Sequence, residues 1–210
     1  MNHQHWPSPT PLKRGDLVHV AATSSALEDD QTMLEGLAVL ENWGLRVRRP
    51  ELSSRRWGYL AGTDQQRRGD LISAQGKAQL LACARGGWGA ARLLEERISW
   101  QPGWLLGFSD ITALLWSRLA AGQSGGVHGP LLTTLAQEPS WSQERLRQLH
   151  AKAASYNEMQ VALAMPVTHF VGVEQTQAAY EIKLRLWTLR GQWQDLEDGW
   201  LHCPFDQVPV

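Results

Sequence analysis

Ser109 is the residue of this chain that is best placed to do chemistry. It follows a short apolar run, residues 104–106, and a glycine, and apolar residues after it recur at helical spacing over residues 111–119. Such a strand–turn–helix pattern projects a serine hydroxyl out of a sheet, beside helix amides that can donate hydrogen bonds. The pattern predicts a nucleophile that attacks carbonyl groups. It is equally typical of a serine that only caps the helix, and both interpretations stand at this point.

A serine nucleophile needs donors that stabilise the oxyanion formed when it attacks a carbonyl. The backbone N–H of Asp110 is expected to face the position of that oxygen. A second donor can come from Gly86 and Gly87, because glycine lets the main chain approach a substrate closely. We therefore predict an oxyanion hole made by Asp110, Gly86 and Gly87.

Residues 86–89, here called the diglycine loop, allow two other interpretations. Gly87 and Gly89 stand between an apolar run and a helical pattern, which partly matches a dinucleotide-binding fingerprint, although Arg92 occupies the position of its third glycine. A nucleotide-binding α/β protein is therefore an alternative. The loop can also be a tight strand-to-helix turn in which Trp88 only packs.

Three arginines and one histidine are further candidates for substrate contacts. Arg85 ends a predicted strand and can bind a substrate carboxylate with two hydrogen bonds, whereas Arg92 and Arg118 are interpreted as solvated surface charges. His128 lies in a predicted turn. It is a base, a substrate contact, or a catalytically silent residue that is hydrogen-bonded to the backbone.

The carboxylates suggest no metal centre. No cluster of His, Asp and Glu has the spacing of metal ligands, so we expect neither a metal nor a cofactor. We interpret Asp16, Asp70 and Asp110 as carboxylates that cap helices or close turns.

Strands and helices alternate along the chain as far as residue 119. The periodicity predicts strands at residues 16–22, 45–48, 77–85 and 104–106 and helices at residues 33–40, 64–76, 90–96 and 111–119. Such alternation is typical of an α/β fold with a doubly wound, mainly parallel sheet and helices on both faces. Sites in such sheets form at the carboxyl ends of the strands, where residues 23–25, 85–89 and 107–110 are expected to converge.

Composition limits the classes of partner. The 210 residues carry a net charge of -1 without a block of like charge, so we expect no nucleic-acid partner and no membrane contact. The two isolated cysteines and the lack of a signal peptide or membrane span predict a cytoplasmic protein. We divide the chain into a loose leader (1–11), an α/β domain that bears the nucleophile (12–148) and a diverged or partial C-terminal segment (149–210).

Five segments occur in the order of the motifs of a known family. They are Leu12-Lys13-Arg14-Gly15-Asp16-Leu17-Val18, Tyr59-Leu60-Ala61-Gly62-Thr63-Asp64 with Arg67, Arg68 and Asp70-Leu71, residues 84–94 with Arg85-Gly86-Gly87-Trp88-Gly89, Gly107-Phe108-Ser109-Asp110-Ile111-Thr112-Ala113-Leu114 and His128-Gly129-Pro130. With them the chain resembles the LD-carboxypeptidase family of serine peptidases, which includes the muramoyltetrapeptide carboxypeptidases and the microcin-immunity peptidases. The resemblance covers residues 12–148.

The resemblance implies hydrolysis of the bond between an L-centre and a terminal D-amino acid, as in the tetrapeptide stem released from peptidoglycan during cell-wall recycling. It implies that Ser109 is the nucleophile, that the Asp110 amide and residues 86–87 form the oxyanion hole, and that no metal or cofactor takes part. We expect Arg85, Trp88 and His128 to contact a small peptide substrate, and the chain to be able to form a homodimer.

The sequence departs from the family in its C-terminal part. Family members are longer, and a Glu and a His from their C-terminal side serve the nucleophile. The Glu is carried over to Glu174, whereas the chain ends at Val210 without the family's Gly-His segment. We therefore expect a C-terminally truncated or diverged member in which the family's histidine is not evident. The alternative is a non-catalytic relative that binds such peptides or a protein partner.

Overall fold

Five apolar segments pair into one parallel sheet in the order β2-β1-β3-β4-β5. The strands are β1 (Leu17–Ala21), β2 (Arg46–Val47), β3 (Leu80–Cys83), β4 (Trp104–Gly107) and β5 (Gly126–His128). All four residues of β3 and of β4 are buried, as expected for strands covered on both faces. The computed structural model describes residues 9–152, with side chains over 9–148, and one antiparallel pair, β6 (Leu186–Trp187) and β7 (Trp193–Gln194).

Helices cover both faces of the sheet. They are α1 (Gln31–Asn42), α2 (Asp64–Ala74), α3 (Thr112–Ala120), α4 (Leu132–Leu135) and α5 (Ser140–Lys152). Buried apolar side chains of α1, α4 and α5 form one cluster with the sheet, and those of α2 and α3 form a second cluster with it. The predicted doubly wound α/β fold is therefore confirmed.

Two local predictions differ from the structure. The segment predicted as a helix over residues 90–96 is a 3₁₀ turn, Ala91–Leu94. Arg68 of α2 donates hydrogen bonds to the carbonyl oxygens of Leu93 and Glu96, at 2.6 and 2.9 Å, so a side chain satisfies acceptors that a continuing helix would use. His128 ends strand β5 rather than lying in a turn, since it pairs with Gly107 of β4.

Arg118 is buried, which corrects its interpretation as a solvated charge. Only 2% of its surface is exposed, and its guanidinium donates to the carbonyl oxygens of Ser124 (2.9 Å) and Gly103 (2.7 Å). The guanidinium also lies 5.7 Å from the ring centroid of Trp100. Burial lowers the pKa of Arg118 to about 10. The residue therefore fastens the end of α3 to the loop before β4.

The described residues before β1 are attached to the domain. Pro9 is buried, and the carbonyl of Thr10 accepts a hydrogen bond of 2.9 Å from the indole N–H of Trp104. Within the described part of the chain, no helix is both long and apolar enough to span a bilayer.

Candidate functional site

Three loops meet where strands β1, β3 and β4 end. They are residues 22–25, here called the β1 loop, the diglycine loop, and residues 107–110, here called the elbow. The backbone N–H of Ser25 donates to the carbonyl of Gly86 at 3.3 Å, which joins the first two loops. A Cβ added to Gly86 would lie 3.2 Å from the Cβ of Ser109, which shows how closely the third loop approaches. The predicted convergence of these segments is confirmed.

Ser109 has the backbone conformation of a nucleophile elbow. Its φ of +60° makes it the only non-glycine residue with a positive φ in the part of the chain that the structure describes. Phe108 before it is extended, and the turn Ser109–Ile111 continues directly into α3. A left-handed conformation costs a serine about 1–2 kcal/mol and turns its side chain away from the strand. The side chain of Ser109 is accordingly exposed at the sheet edge.

Gly86 lies close to Ser109. A Cβ on Gly86 would lie 3.2 Å from Ser109 Cβ, which is a tight contact, and 3.5 Å from Ser109 Oγ, which is an ordinary van der Waals distance. Within residues 9–148, no acceptor engages the backbone N–H of Gly86, Gly87 or Asp110. These amides can therefore donate to a ligand, whereas their role as an oxyanion hole for Ser109 stays a prediction.

Gly87 holds the diglycine loop against the β1 loop. Its φ is +113°, and a Cβ at this position would lie 2.1 Å from the hydroxyl of Ser25. That same hydroxyl accepts a hydrogen bond of 3.2 Å from the backbone N–H of Trp88. Only glycine fits here, both for space and for backbone conformation.

The carboxylate of Asp110 joins the elbow to the other two loops. It accepts hydrogen bonds from the hydroxyl of Ser24 at 2.7 Å and from the backbone N–H of Ala90 at 2.8 Å. Its interpretation as a local cap or turn carboxylate is therefore wrong, because both partners are remote in sequence. Asp16 does close a local turn, with an acceptor contact of 2.8 Å to the N–H of Lys13.

Arg67 of α2 contacts both the β1 loop and the diglycine loop. The side chain is completely buried and donates to the carbonyl oxygens of Thr23 and of Gly89, the latter at 2.8 Å. It also pairs with the carboxylate of Asp64 at the start of α2. A buried guanidinium that contacts two loops fixes their separation.

Asp70 of α2 contacts Ala22, the first residue of the β1 loop. It accepts a 3.0 Å hydrogen bond from the backbone N–H of Ala22 and forms a two-point ion pair with Arg55. It is a bridge between elements and not a cap, which corrects the second carboxylate interpretation.

The predicted substrate-contact residues have different surroundings. Arg85 is exposed and donates at 2.9 Å to the carbonyl of Ala26, beside the β1 loop. Trp88 is 73% exposed on the diglycine loop. In the sequence both residues flank the two glycines, of which Gly86 lies close to Ser109.

His128 belongs to a different pocket. It lines an apolar recess with Leu115 and Trp116 of α3, and its ring meets the ring of Phe108 edge-on at 6.2 Å between centroids. Its Nδ1 is buried and has no partner among residues 9–148. Burial lowers the pKa of His128, because the charged imidazolium loses hydration there. No described contact brings this imidazole to Ser109.

A base for Ser109 is not found among the described residues. No carboxylate or imidazole of residues 9–148 is hydrogen-bonded to the Ser109 hydroxyl. Glu174, the predicted catalytic glutamate, lies outside the described residues.

Sequence patterns missed the side chains that link the loops. The sequence marks Ser24 and Ser25 only as the end of a predicted strand and Arg67 only as part of the second family motif, with nothing to indicate their partners. The signal that could have found Arg67 is its place one turn after Asp64 in a helix that must bury one face on the sheet.

Comparison with known proteins supports the family relationship. A family model described as the LD-carboxypeptidase N-terminal domain matches residues 18–129. A Synechocystis sp. protein named as a carboxypeptidase is 47% identical over 145 residues, which are 66% of this chain and 48% of that protein. The murein tetrapeptide carboxypeptidase of Pseudomonas aeruginosa is 32% identical over 204 residues, which are 92% of this chain and 64% of that enzyme.

Solved structures show the same fold at low sequence identity. The microcin C7 self-immunity protein MccF in its wild-type apo state is 19% identical with a TM-score of 0.57, over 70% of this chain and 46% of that chain. An MccF-like protein from Bacillus anthracis is 20% identical with a TM-score of 0.56, over 68% of this chain and 46% of its own. The chain thus spans about half the length of the relatives it matches.

Proposed function

The chain belongs to the LD-carboxypeptidase family, and on this basis we propose that it is the nucleophile-bearing part of a serine carboxypeptidase that removes a terminal D-amino acid from murein stem peptides. The observation that carries the proposal is the elbow at Ser109, with a φ of +60° and an exposed hydroxyl beside the glycine loop. The names of the Synechocystis sp. and Pseudomonas aeruginosa relatives support the reaction class.

The proposed reaction uses the contacts around Ser109. Its Oγ forms a bond to the carbonyl carbon that precedes the terminal D-amino acid, and the carbonyl oxygen takes the negative charge. The N–H groups of Asp110 and of the diglycine loop stabilise that oxygen. The carbonyl re-forms as the carbon–nitrogen bond breaks, and the proton that Ser109 lost passes to the leaving nitrogen, so that the D-amino acid leaves as the amine. Water then releases the acyl group from Ser109 as a carboxylic acid.

Proton transfer in this reaction requires a base for the Ser109 hydroxyl. By resemblance to the family, Glu174 is proposed to take part, whereas no segment of the given sequence matches the family's histidine motif. A serine that lacks its base retains positioning and oxyanion stabilisation but loses several orders of magnitude in rate. We therefore expect turnover to be slow unless another group supplies this function.

The predicted substrate-contact residues are proposed to select the substrate. Arg85 is exposed next to the β1 loop and can bind a stem-peptide carboxylate with two hydrogen bonds. Trp88, which is 73% exposed, provides an apolar wall beside it. His128 remains a proposed contact through the recess that it lines with α3. A cytoplasmic location, where released stem peptides are recycled, belongs to the same proposal.

The test is release of D-alanine from a muropeptide tetrapeptide by the purified chain. We expect the wild type to release it and Ser109→Ala to lose the activity. Ser73→Ala is the matched control, because Ser73 is an exposed serine on α2. Release that survives in Ser109→Ala would show that another group does the chemistry.

A second candidate function is peptide binding without turnover. It is favoured by the sequence, in which no segment matches the motif that carries the family's histidine. Tight binding of the tetrapeptide by calorimetry, together with no release of D-alanine, would support this function over catalysis.

Nucleotide binding has less support. The diglycine loop leads into a 3₁₀ turn of four residues, Ala91–Leu94, and not into a helix whose aligned amides could hold a phosphate. Saturable nucleotide binding that Gly87→Val removes would reverse this assessment.

A further inference from the structure

Two side chains of opposite charge connect the β1 loop with the end of the diglycine loop, where Gly89 is followed by Ala90. The carboxylate of Asp110 accepts from Ser24 Oγ and from the backbone N–H of Ala90, at 2.7 and 2.8 Å. The guanidinium of Arg67 donates to the carbonyl oxygens of Thr23 and Gly89. We call the first set of contacts the carboxylate clamp and the second the guanidinium clamp.

The two clamps are complementary in chemistry. Asp110 can only accept hydrogen bonds and takes donors from both sides, whereas Arg67 can only donate and takes acceptors from both. On one side Thr23 offers the acceptor and Ser24 the donor, and on the other Gly89 offers the acceptor and Ala90, directly after the diglycine loop, the donor. A sideways shift of one loop against the other would break contacts in both clamps at once.

Burial makes the loss of any of these hydrogen bonds costly in free energy. Thr23, Ser24 and Arg67 are completely buried, so water cannot replace a lost hydrogen bond without a change in structure. A Cβ on Gly89 would lie 2.8 Å from Arg67 Nη1, which shows that the diglycine loop rests directly on the guanidinium.

The diglycine loop needs such support because glycines have no side chains that could anchor it. Its proposed task, donation of N–H groups to an oxyanion on Ser109, depends on donor positions fixed to within a few tenths of an ångström. Asp110 follows Ser109 directly, so its carboxylate couples the loop to the residue that carries the other donor.

We propose that Arg67, Ser24 and the side chain of Asp110 are positioning residues that hold the oxyanion hole of Ser109 in its working geometry before substrate binds. This inference rests on the proposed function, because it assigns a purpose to contacts around that site. The clamps should affect two affinities differently. They govern the affinity for a tetrahedral, negatively charged adduct, and they leave the affinity for an uncharged peptide ground state nearly unchanged.

A peptide boronic acid tests this separation. The probe is a stem peptide in which a boronic acid replaces the carbonyl of the L-centre. On binding, Ser109 Oγ forms a bond to boron, its proton passes to solvent, and a boronate oxygen with negative charge occupies the oxyanion position. Titration calorimetry gives the dissociation constants of the boronate and of the matching tripeptide amide, here called the tripeptide, whose uncharged carboxamide end forms no adduct and places no full negative charge at the oxyanion position.

For Ser24→Ala and Arg67→Met we expect the boronate to bind at least about tenfold more weakly, since loss of one oxyanion donor costs about 10²–10³ in rate and a displaced donor costs part of that. The affinity of these variants for the tripeptide should stay within about twofold of the wild-type value. Arg67→Lys, which keeps one charged donor, should recover part of the loss, and Ser73→Ala should match the wild type. Should Arg67→Met fail to fold, Ser24→Ala and Asp110→Asn decide the question.

Three results would overturn the proposal. Equal losses for boronate and tripeptide would mean that the clamps only stabilise the fold. No loss for either ligand would mean that the loop keeps its position without them. A wild type that forms no tetrahedral boron adduct, measured by boron-11 NMR, would remove the proposed function and the clamps with it, whereas the first two results leave that function intact.

Discussion

Ser109 combines an exposed hydroxyl with a backbone conformation that serine does not favour. The φ of +60° is held by what surrounds the residue, since β4 ends one residue before Phe108 and α3 begins at Thr112. A conformation that the surrounding structure enforces at the cost of stability is typical of functional residues. The strain is therefore a measurable property of the site.

Replacement of Ser109 by glycine should stabilise the fold. Glycine adopts a positive φ without steric cost, whereas alanine retains the strain of serine. We expect Ser109→Gly to unfold in urea with a free energy about 1 kcal/mol higher than Ser109→Ala, while neither variant releases D-alanine. Equal stability of the two variants would show that the left-handed conformation at this position carries no strain.

Substitution of Gly86 should damage the site more than the fold. A Cβ there would lie 3.2 Å from the Cβ of Ser109 and 3.3 Å from Leu131, so the loop or the elbow must shift by a few tenths of an ångström. We expect Gly86→Ala to weaken boronate binding by about tenfold or more. The control is Gly69→Ala in α2, where the added methyl meets nothing within 4 Å and should raise stability by about 0.5–1 kcal/mol. Boronate affinity equal to the wild type in both variants would contradict the proposed geometry.

Sequence patterns could identify Ser109 and the diglycine loop because their chemistry is local. A glycine, an aromatic residue and a serine at the end of an apolar run suffice to indicate an elbow. The partners of Asp110 could not be found in this way, since Ser24 and Ala90 are 86 and 20 residues distant. A carboxylate that helps to close a turn and one that joins three loops look the same in a sequence.

Among the elements, α2 connects most directly to the site. Three of its residues contact different segments. Arg67 contacts the β1 loop and the diglycine loop, and Arg68 contacts the turn after the diglycine loop. Asp70 contacts Ala22, the first residue of the β1 loop. The helix begins at a complete capping box, in which Thr63 and Gln66 bond each other's backbone N–H at 3.3 and 2.9 Å. The position of α2 is therefore set at its first turn.

Loss of the N-cap of α2 should destabilise this helix and the guanidinium clamp that its residue Arg67 forms. We expect Thr63→Ala to lower the free energy of unfolding by about 1 kcal/mol, the usual cost of an N-cap. Gln65→Ala is the control, because Gln65 is exposed in the same turn. Urea unfolding measures both variants. Equal values for the two would mean that the capping box contributes nothing to this helix.

The order of elements could be predicted, whereas several of their lengths could not. Hydrophobic periodicity placed α2 and β4 at nearly their observed bounds, Asp64–Ala74 and Trp104–Gly107. It failed at Ala91–Leu94, where a guanidinium from another helix takes the carbonyl groups that helical hydrogen bonds would use. Competition of that kind arises only after the chain has folded.

At the scale of the whole molecule, the sheet separates two apolar clusters and buries several titratable groups. His128 and His19 both have a lowered pKa, and desolvation is the largest cause for each. For His19, the carboxylate of Asp70 opposes this shift and Arg48 adds to it. The folded state therefore prefers both imidazoles neutral.

Stability should fall as pH decreases from about 7 toward about 5. In that range the unfolded chain, whose histidines titrate near 6.5, binds more protons than the folded chain, so protonation favours unfolding. We measure the free energy of unfolding in urea at both pH values. Between them we expect it to decrease less for His128→Gln than for the wild type. The carboxylate of Asp64, whose pKa a hydrogen bond from Arg92 lowers, loses its contribution only at lower pH. A pH dependence in His128→Gln identical to that of the wild type would contradict the account of His128.

The most direct test of the nucleophile is covalent labelling of the whole chain with a fluorophosphonate, followed by peptide mapping with mass spectrometry. If Ser109 attacks carbonyl groups with main-chain donors around it, one phosphonyl group should appear on the peptide that contains Ser109. The group should be missing from Ser109→Ala and present in Ser73→Ala. Labelling of another serine alone, or no label on Ser109 in protein that still unfolds cooperatively, would contradict the central claim.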